Sequence, residues 1–142
     1  MFGVITALVS GALMSVQGVF NTDVTKQTSL WVSAAFVQFT ALLVCLAAWL
    51  FYDRTGFGTL WDVSDKYTLL GGVIGAFITA TVIRSMNALG PAKAAMLIVT
   101  AQLAVAWIIE LMGIFGVEKQ PFSIRKMMGL LIAVAGVITF EL

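Results

Sequence analysis

Two charged residues, Arg84 and Glu110, lie well inside an apolar stretch that runs from Gly71 to Gly116. The stretch predicts two membrane-spanning helices that are joined by the turn Leu89-Gly90-Pro91. A charge at membrane depth is costly and usually marks an ion or substrate path. Because a carboxylate can bind a proton or a cation and a guanidinium can contact an anion, these two residues are the first candidates for a functional site.

Each of the two residues also has a simpler interpretation. Arg84 lies about one turn from the Gly-Pro end of its helix, so its side chain could snorkel to the headgroups instead of contacting an anion or Glu110. Glu110 lies about seven residues before Val117, the expected interface, which is too deep for a short carboxylate to reach water easily. It is therefore a structural ion pair or a locally solvated residue, or else a substrate or proton site.

Two further residues on the same helix could line a cavity beside Glu110. Trp107 lies one turn before Glu110 and could stack on a cationic or aromatic ligand, or it could simply fill space between helices. Gln102 lies about 80° around the helix from Glu110. Both belong to the candidate site.

The first and second helices carry amide side chains at positions that favour a shared cavity. Gln17 and Asn21 lie on one face of the first helix with Ser10 and Met14, because the spacings alternate between three and four residues. Gln38 on the second helix is an amide in an apolar run that needs a partner, and Gln17 is a candidate. These amides either line a cavity or join helices through hydrogen bonds.

The composition is typical of a membrane protein. The chain is 61% hydrophobic and 11% charged, with a mean hydropathy of +1.03, whereas a soluble domain carries about 25% charged residues. We therefore expect an all-α integral membrane protein. Histidine is absent and there is a single cysteine, so we expect no metal and no cofactor. Without a basic patch, a nucleophile–base pair or a phosphate-binding loop, we expect neither nucleic-acid binding nor an enzyme.

The apolar segments predict five transmembrane helices. A hydrocarbon core of about 30 Å needs about 20 apolar residues per helix. We expect a single five-helix domain over residues 1–142, with spans at 2–20, 30–52, 67–88, 92–115 and 124–140. A polar link, Asn21 to Ser29, should follow the first span, with Ser29 as the N-cap of the second. Pro91 suits the first turn of the fourth.

Small residues recur inside these spans and predict close helix packing. Stripes of small residues let helix backbones approach closely in lipid, so they indicate helix packing within the chain or a dimer contact. The glycines concerned are Gly11, Gly18, Gly71, Gly75, Gly129 and Gly136.

The distribution of basic residues gives only a weak orientation signal. With five spans, five Lys and Arg residues fall on the N-terminal side and three on the other, which only slightly favours a cytoplasmic N-terminus. Such a chain can insert in both orientations and pair with an inverted copy of itself. In that antiparallel dimer of ten helices, Glu110 of one copy comes to the depth of Arg84 of the other. Inverted repeats with a substrate site at their interface are common in transporters.

Several motifs resemble one known family. They are LGPAKAAMLIVTAQL, then IIELMGIFGVEKQPFSIRKMMGLLIAVAGVI, and the start GALMSVQGVFN. Together they are similar to the YdcZ-type branch of the drug/metabolite transporter superfamily. The resemblance covers nearly the whole chain and implies a five-helix transporter repeat, a small-molecule or metabolite substrate, and pairing in antiparallel or with a paralogous subunit.

The chain departs from its relatives at two points. Members of the family often carry Asp where this chain has Glu110, which keeps the carboxylate and lengthens its arm. The related four-helix multidrug branch places its essential Glu on the first helix, where this chain has no carboxylate. The mechanism of that branch therefore does not transfer directly.

From these observations we expect a transporter of the cytoplasmic (inner) membrane. It would work by alternating access on a small metabolite or organic cation, with proton coupling, as a dimer in the lipid bilayer. The candidate substrate or proton residues are Glu110, Trp107, Gln102, Arg84, Gln17, Asn21 and Gln38. The alternative is a non-transporting membrane subunit or assembly partner of another membrane protein.

Overall fold

The computed structural model describes residues 1–141, and of Glu141 only the backbone. The regular secondary structure of the described residues is all helical, with no strand among them. Its α-helices are α1 (Phe2–Gln27), α2 (Leu30–Ala48), α3 (Gly71–Leu89), α4 (Pro91–Met112) and α5 (Ile124–Glu141). A π-helical turn, Trp49–Asp53, follows α2, and two 3-10 turns, Phe57–Asp62 and Lys66–Leu70, precede α3. The all-α membrane class predicted from the sequence is confirmed.

Four helical segments are long and apolar enough to cross a membrane. They are Phe2–Gln27, Leu30–Asp53, Lys66–Leu89 and Pro91–Met112. The fifth helix is shorter and carries charged residues at both ends. Its uncharged part, 127–140, spans about 21 Å at 1.5 Å per residue, less than a hydrocarbon core of about 30 Å. A fifth complete span therefore stays a prediction.

The chain divides into two compact units, of which the first is Met1–Asn87. Its core lies where α1, α2 and α3 approach one another, and Ile83 and Ser33 are its most deeply buried side chains. The Ser33 hydroxyl donates to the backbone carbonyl of Asn21 at 3.0 Å, which joins α2 to α1. One turn earlier on α1, Gly18 lies against the side chain of Met86 on α3.

The predicted polar link from Asn21 to Ser29 is wrong, because α1 continues to Gln27. The polar side chains there support the helix instead of ending it. Thr22 donates to the Gly18 carbonyl at 2.7 Å, and Asn21 and Thr22 are buried. Only Thr28 and Ser29 separate α1 from α2. The N-cap prediction for α2 is confirmed, since the Ser29 hydroxyl accepts from the Val32 N–H at 3.3 Å.

The second unit begins at Ala88 and contains the Leu89-Gly90-Pro91 turn, α4 and α5. Gly90 has a φ of 82°, and Pro91 opens α4 as predicted. The predicted span 92–115 is too long at its end, because Gly113 adopts the left-handed conformation (φ 65°) and ends α4 at Met112. The Gly113 N–H donates to the Ile109 carbonyl at 2.9 Å, as in common C-terminal caps.

Candidate functional site

Glu110 lies in the last turn of α4 and forms an ion pair with Lys126 in the first turn of α5. Lys126 Nζ and Glu110 Oε2 are 2.5 Å apart. The side chains remain accessible, with Glu110 38% and Lys126 47% exposed. Because α4 ends at Gly113, Glu110 lies in the last turn of α4 and nearer the end of its helix than the sequence predicted. That Glu110 lies too deep in the membrane to reach water easily stays a prediction.

The loop between α4 and α5 folds back onto the same turn of α4. The Gln120 N–H donates to the Glu110 backbone carbonyl at 2.8 Å, which satisfies one of the carbonyls that every helix end leaves free. The rings of Trp107 and Phe122 lie 5.6 Å apart at 40°, a favourable tilted arrangement. These contacts hold the start of α5 beside Glu110 and place Lys126 within reach of it.

An open groove runs between α4 and α5 at this point and has a volume of about 330 Å³. We call it the α4–α5 groove. It is mostly apolar, and the ion pair is its only charged lining. The lining residues are Leu103, Ala106, Trp107, Glu110, Lys126, Gly129 and Leu130. The groove combines a carboxylate, an ammonium group and an indole, so it can contact both signs of charge and an apolar body.

The indole N–H of Trp107 is buried and has no hydrogen-bond partner among the residues that the structure describes. A buried donor without an acceptor costs about 1–3 kcal/mol. Trp107 was predicted as a site residue, and the structure places it in the same groove as Glu110. Because the N–H is buried, Trp107 offers the groove its ring surface rather than its donor.

A second open groove, of about 670 Å³, lies in the first unit along α1. Ser10, Met14, Gln17 and Asn21 all line it, so the shared face predicted from their spacing is confirmed as geometry. Gln17 and Gln38 form no hydrogen bond with each other. The Gln38 amide instead points toward α3, where a Cβ at Gly75 would lie 3.7 Å from its Nε2. That any of these amides binds a substrate stays a prediction.

Residues 2–139 match the model of a protein family that is described as "Putative inner membrane exporter, YdcZ". The chain belongs to this family. No curated protein and no solved structure matched the chain. The family match and the four apolar helices make it a multi-pass protein of the inner membrane. The family is one of membrane exporters, which are transporters rather than enzymes, and the resemblance drawn from the motifs of the chain is confirmed.

Three predicted site residues of this YdcZ-family chain lie outside both grooves, namely Gln38, Arg84 and Gln102. Arg84 is exposed on α3 and forms no salt bridge with any residue of the described chain. Gln102 is exposed on α4 and does not line the α4–α5 groove. Within one copy, none of the three residues lines either groove, and the proposed roles of these residues depend on surfaces outside that copy.

Lys126 is the site residue that sequence reasoning missed. The signal was present in the short link between the two helices, which contains Gly113 and Gly116, both with positive φ. Such a link turns the chain back on itself, so the end of one helix meets the start of the next. A cation in the first turn of α5 was therefore within reach of a carboxylate in the last turn of α4.

The glycines fall into two groups. Gly18 and Gly75 lie at helix contacts, and a Cβ on Gly18 would come within 2.4 Å of the Met86 sulfur. Four of the predicted packing glycines have open space where a Cβ would stand within the described chain: Gly11, Gly71, Gly129 and Gly136. Any packing role for these four needs a surface that one copy of the chain does not supply.

Proposed function

We propose that this chain is a secondary transporter of a small metabolite or organic cation that works by alternating access and exchanges its substrate for protons. The observation that carries the proposal is the Glu110–Lys126 pair in the α4–α5 groove. The carboxylate is held by a neighbouring cation, yet more than a third of it is exposed. A proton or a cationic group can therefore replace Lys126 as its partner.

Exchange of partners at Glu110 gives the site two states. Protonation neutralises Glu110 and removes its attraction for Lys126. Loss of the proton restores a negative charge that Lys126 or a substrate cation must balance. Because Lys126 lies on α5 and Glu110 on α4, each exchange changes what holds the two helices together. The contact between α4 and α5 therefore has two states, with and without the ion pair. A ligand that binds one of these states more tightly shifts the population of conformations toward it.

The proposed working unit is an antiparallel dimer, formed with a second copy or with a paralogous subunit. Both grooves are open in one copy, Arg84 has no salt-bridge partner in the described chain, and four glycines have open faces. An inverted copy brings Glu110 to the depth of Arg84 and supplies helices that close the grooves. The weak bias of basic residues allows the chain to insert in both orientations.

Transport by purified protein in proteoliposomes tests the role of Glu110. With a pH gradient imposed, uptake of a panel of organic cations and metabolites is measured for wild type and for Glu110→Gln. We expect the variant to lose coupled transport while its expression and dimerisation remain normal. Glu118→Gln, which removes an exposed carboxylate from the following loop, is the matched control. Full coupled transport by Glu110→Gln would contradict the proposed role.

The open glycine faces also support a second candidate function. A surface of small residues suits a permanent contact with a different membrane protein. Purification of a stoichiometric partner together with the absence of solute flux would favour a non-transporting subunit over a transporter.

A further inference from the structure

We propose that the α4–α5 groove binds a zwitterion, a molecule that carries one ammonium and one carboxylate group, in preference to a simple cation or anion. The inference rests on the proposed transport function and names its substrate class. It comes from the charge balance of the groove, in which Glu110 and Lys126 already neutralise each other.

A ligand with a single charge leaves one of these residues unpaired. An organic cation that binds Glu110 must displace Lys126, which then stays beside an apolar groove without a counter-ion. An anion that binds Lys126 leaves Glu110 in the same position. A charge left without a counter-ion beside an apolar wall is unfavourable, because the wall takes the place of water that would otherwise solvate the charge. A zwitterion avoids this cost, since its ammonium pairs with Glu110 and its carboxylate pairs with Lys126.

The pair is accessible enough for this exchange. The exposed fractions of the two side chains, 38% for Glu110 and 47% for Lys126, leave both charged groups open to a ligand from the groove. Because exposed ion pairs are weak, a ligand that offers two new ion pairs can separate the residues. The flexible stem of Lys126 lets its ammonium move aside without a backbone change.

The remaining lining limits the ligand's size and shape. A volume of about 330 Å³ lies at the small end of ligand pockets, which span about 300–1,000 Å³. The walls are the aliphatic side chains of Leu103, Ala106 and Leu130 and the indole of Trp107. The groove therefore suits an amino-acid-sized zwitterion with an apolar or aromatic side chain.

Three matched compounds separate the charge requirements in a binding assay on the purified protein. Phenylalanine carries both charges, 2-phenylethylamine lacks the carboxylate, and 3-phenylpropionate lacks the ammonium group. We expect the wild type to bind phenylalanine at least tenfold more tightly than either single-charge compound. Lys126→Gln should shift the preference to 2-phenylethylamine, and Glu110→Gln should shift it to 3-phenylpropionate. The double exchange Glu110→Lys with Lys126→Glu should restore the preference for phenylalanine.

A purely structural ion pair would not produce these opposite shifts in preference. Equal or tighter wild-type binding of a single-charge compound would overturn the inference, as would failure to bind any of the three. Loss of binding in both variants without a change in preference would overturn it too. If the wild type transports an organic cation with proton coupling but neither binds nor transports phenylalanine, the proposed preference for a zwitterion is refuted. The proposed transport function then remains supported. Absence of flux for the whole panel would refute both.

Discussion

Lys126 Nζ lies 2.5 Å from Glu110 Oε2, so an ammonium group in the first turn of α5 neutralises a carboxylate in the last turn of α4. This relationship changes the meaning of the carboxylate. In the sequence Glu110 stands as an isolated acid in an apolar helix, whereas in the folded chain it is one half of an accessible pair at a helix end.

Removal of the cation from this pair should affect transport more than stability. We expect Lys126→Gln to unfold within a few degrees of the wild type, because exposed ion pairs contribute only about 0.2–1 kcal/mol. Coupled flux should fall strongly, because Glu110 then carries an uncompensated charge. Thermal unfolding in detergent and flux in proteoliposomes are the two measurements. Arg125→Gln, at the neighbouring position, is the control, and a large stability loss with normal flux would show that the pair is structural only.

The helix end at Gly113 should tolerate no side chain. Gly113→Ala places a Cβ in a left-handed residue (φ 65°) and within 2.7 Å of the Lys119 Cβ, so we expect a loss of more than the ~1–2 kcal/mol that the backbone conformation alone costs. Gly116→Ala is the matched control, since its φ is 77° but nothing lies within 4 Å. Thermal unfolding compares the two. Equal destabilisation would mean that the Lys119 contact contributes nothing.

Two glycines of the first helix should differ sharply on substitution. Gly18→Ala forces the buried Met86 side chain to move, and overpacking a core of this kind costs about 1–3 kcal/mol, with the lower value expected because methionine is flexible. Gly11→Ala meets nothing within 4 Å in one copy. Thermal unfolding should therefore show a loss only for Gly18→Ala, and Met86→Ala should relieve the clash in the double variant.

Gly11→Ala also tests the dimer. If the open glycine faces pack against a second copy, this substitution should weaken self-association without affecting the fold of one chain. Crosslinking or sedimentation in detergent measures the dimer. Unchanged association would remove Gly11 from the proposed contact.

The unpaired indole N–H of Trp107 predicts an unusual response to removal of a polar group. Trp107→Phe keeps an aromatic ring beside Phe122 and deletes a buried donor that has no partner in the described chain, so we expect less destabilisation than loss of an indole normally causes. In Trp49→Phe the deleted donor bonds the Thr55 carbonyl at 2.7 Å. Thermal unfolding compares the two variants, and a larger loss for Trp107→Phe would contradict the assignment of an orphaned donor.

The proposed dual insertion has a direct test in cells. Reporters that are active on only one side of the membrane, fused to the C-terminus, should both give substantial signal because the basic residues are split five to three under a five-span topology. Adding two lysines to one loop should move nearly all molecules to one orientation. A single active reporter in the unmodified chain would contradict dual insertion and favour pairing with an inverted paralogue.

The sequence by itself determined the class of the protein, its membrane location and the position of most helices. Hydropathy is a local property, and a run of apolar residues must form a helix in lipid to satisfy its own backbone. The Gly90-Pro91 turn and the Ser29 N-cap were predictable for the same reason, since each depends on a few adjacent residues. The shared face of Ser10, Met14, Gln17 and Asn21 followed from helix periodicity alone.

The tertiary structure decided which residues meet. The polar segment from Asn21 continues α1, where the Thr22 hydroxyl donates to the Gly18 carbonyl of the same helix and the Asn21 backbone carbonyl accepts from the Ser33 hydroxyl of α2. Composition cannot show these partners. The partner of Glu110 depends on where α4 ends, and a single left-handed glycine sets that end. A shift of one helical turn moves a side chain about 5.4 Å along the axis. That distance separates an acid inside an apolar helix from one that lies beside Lys126.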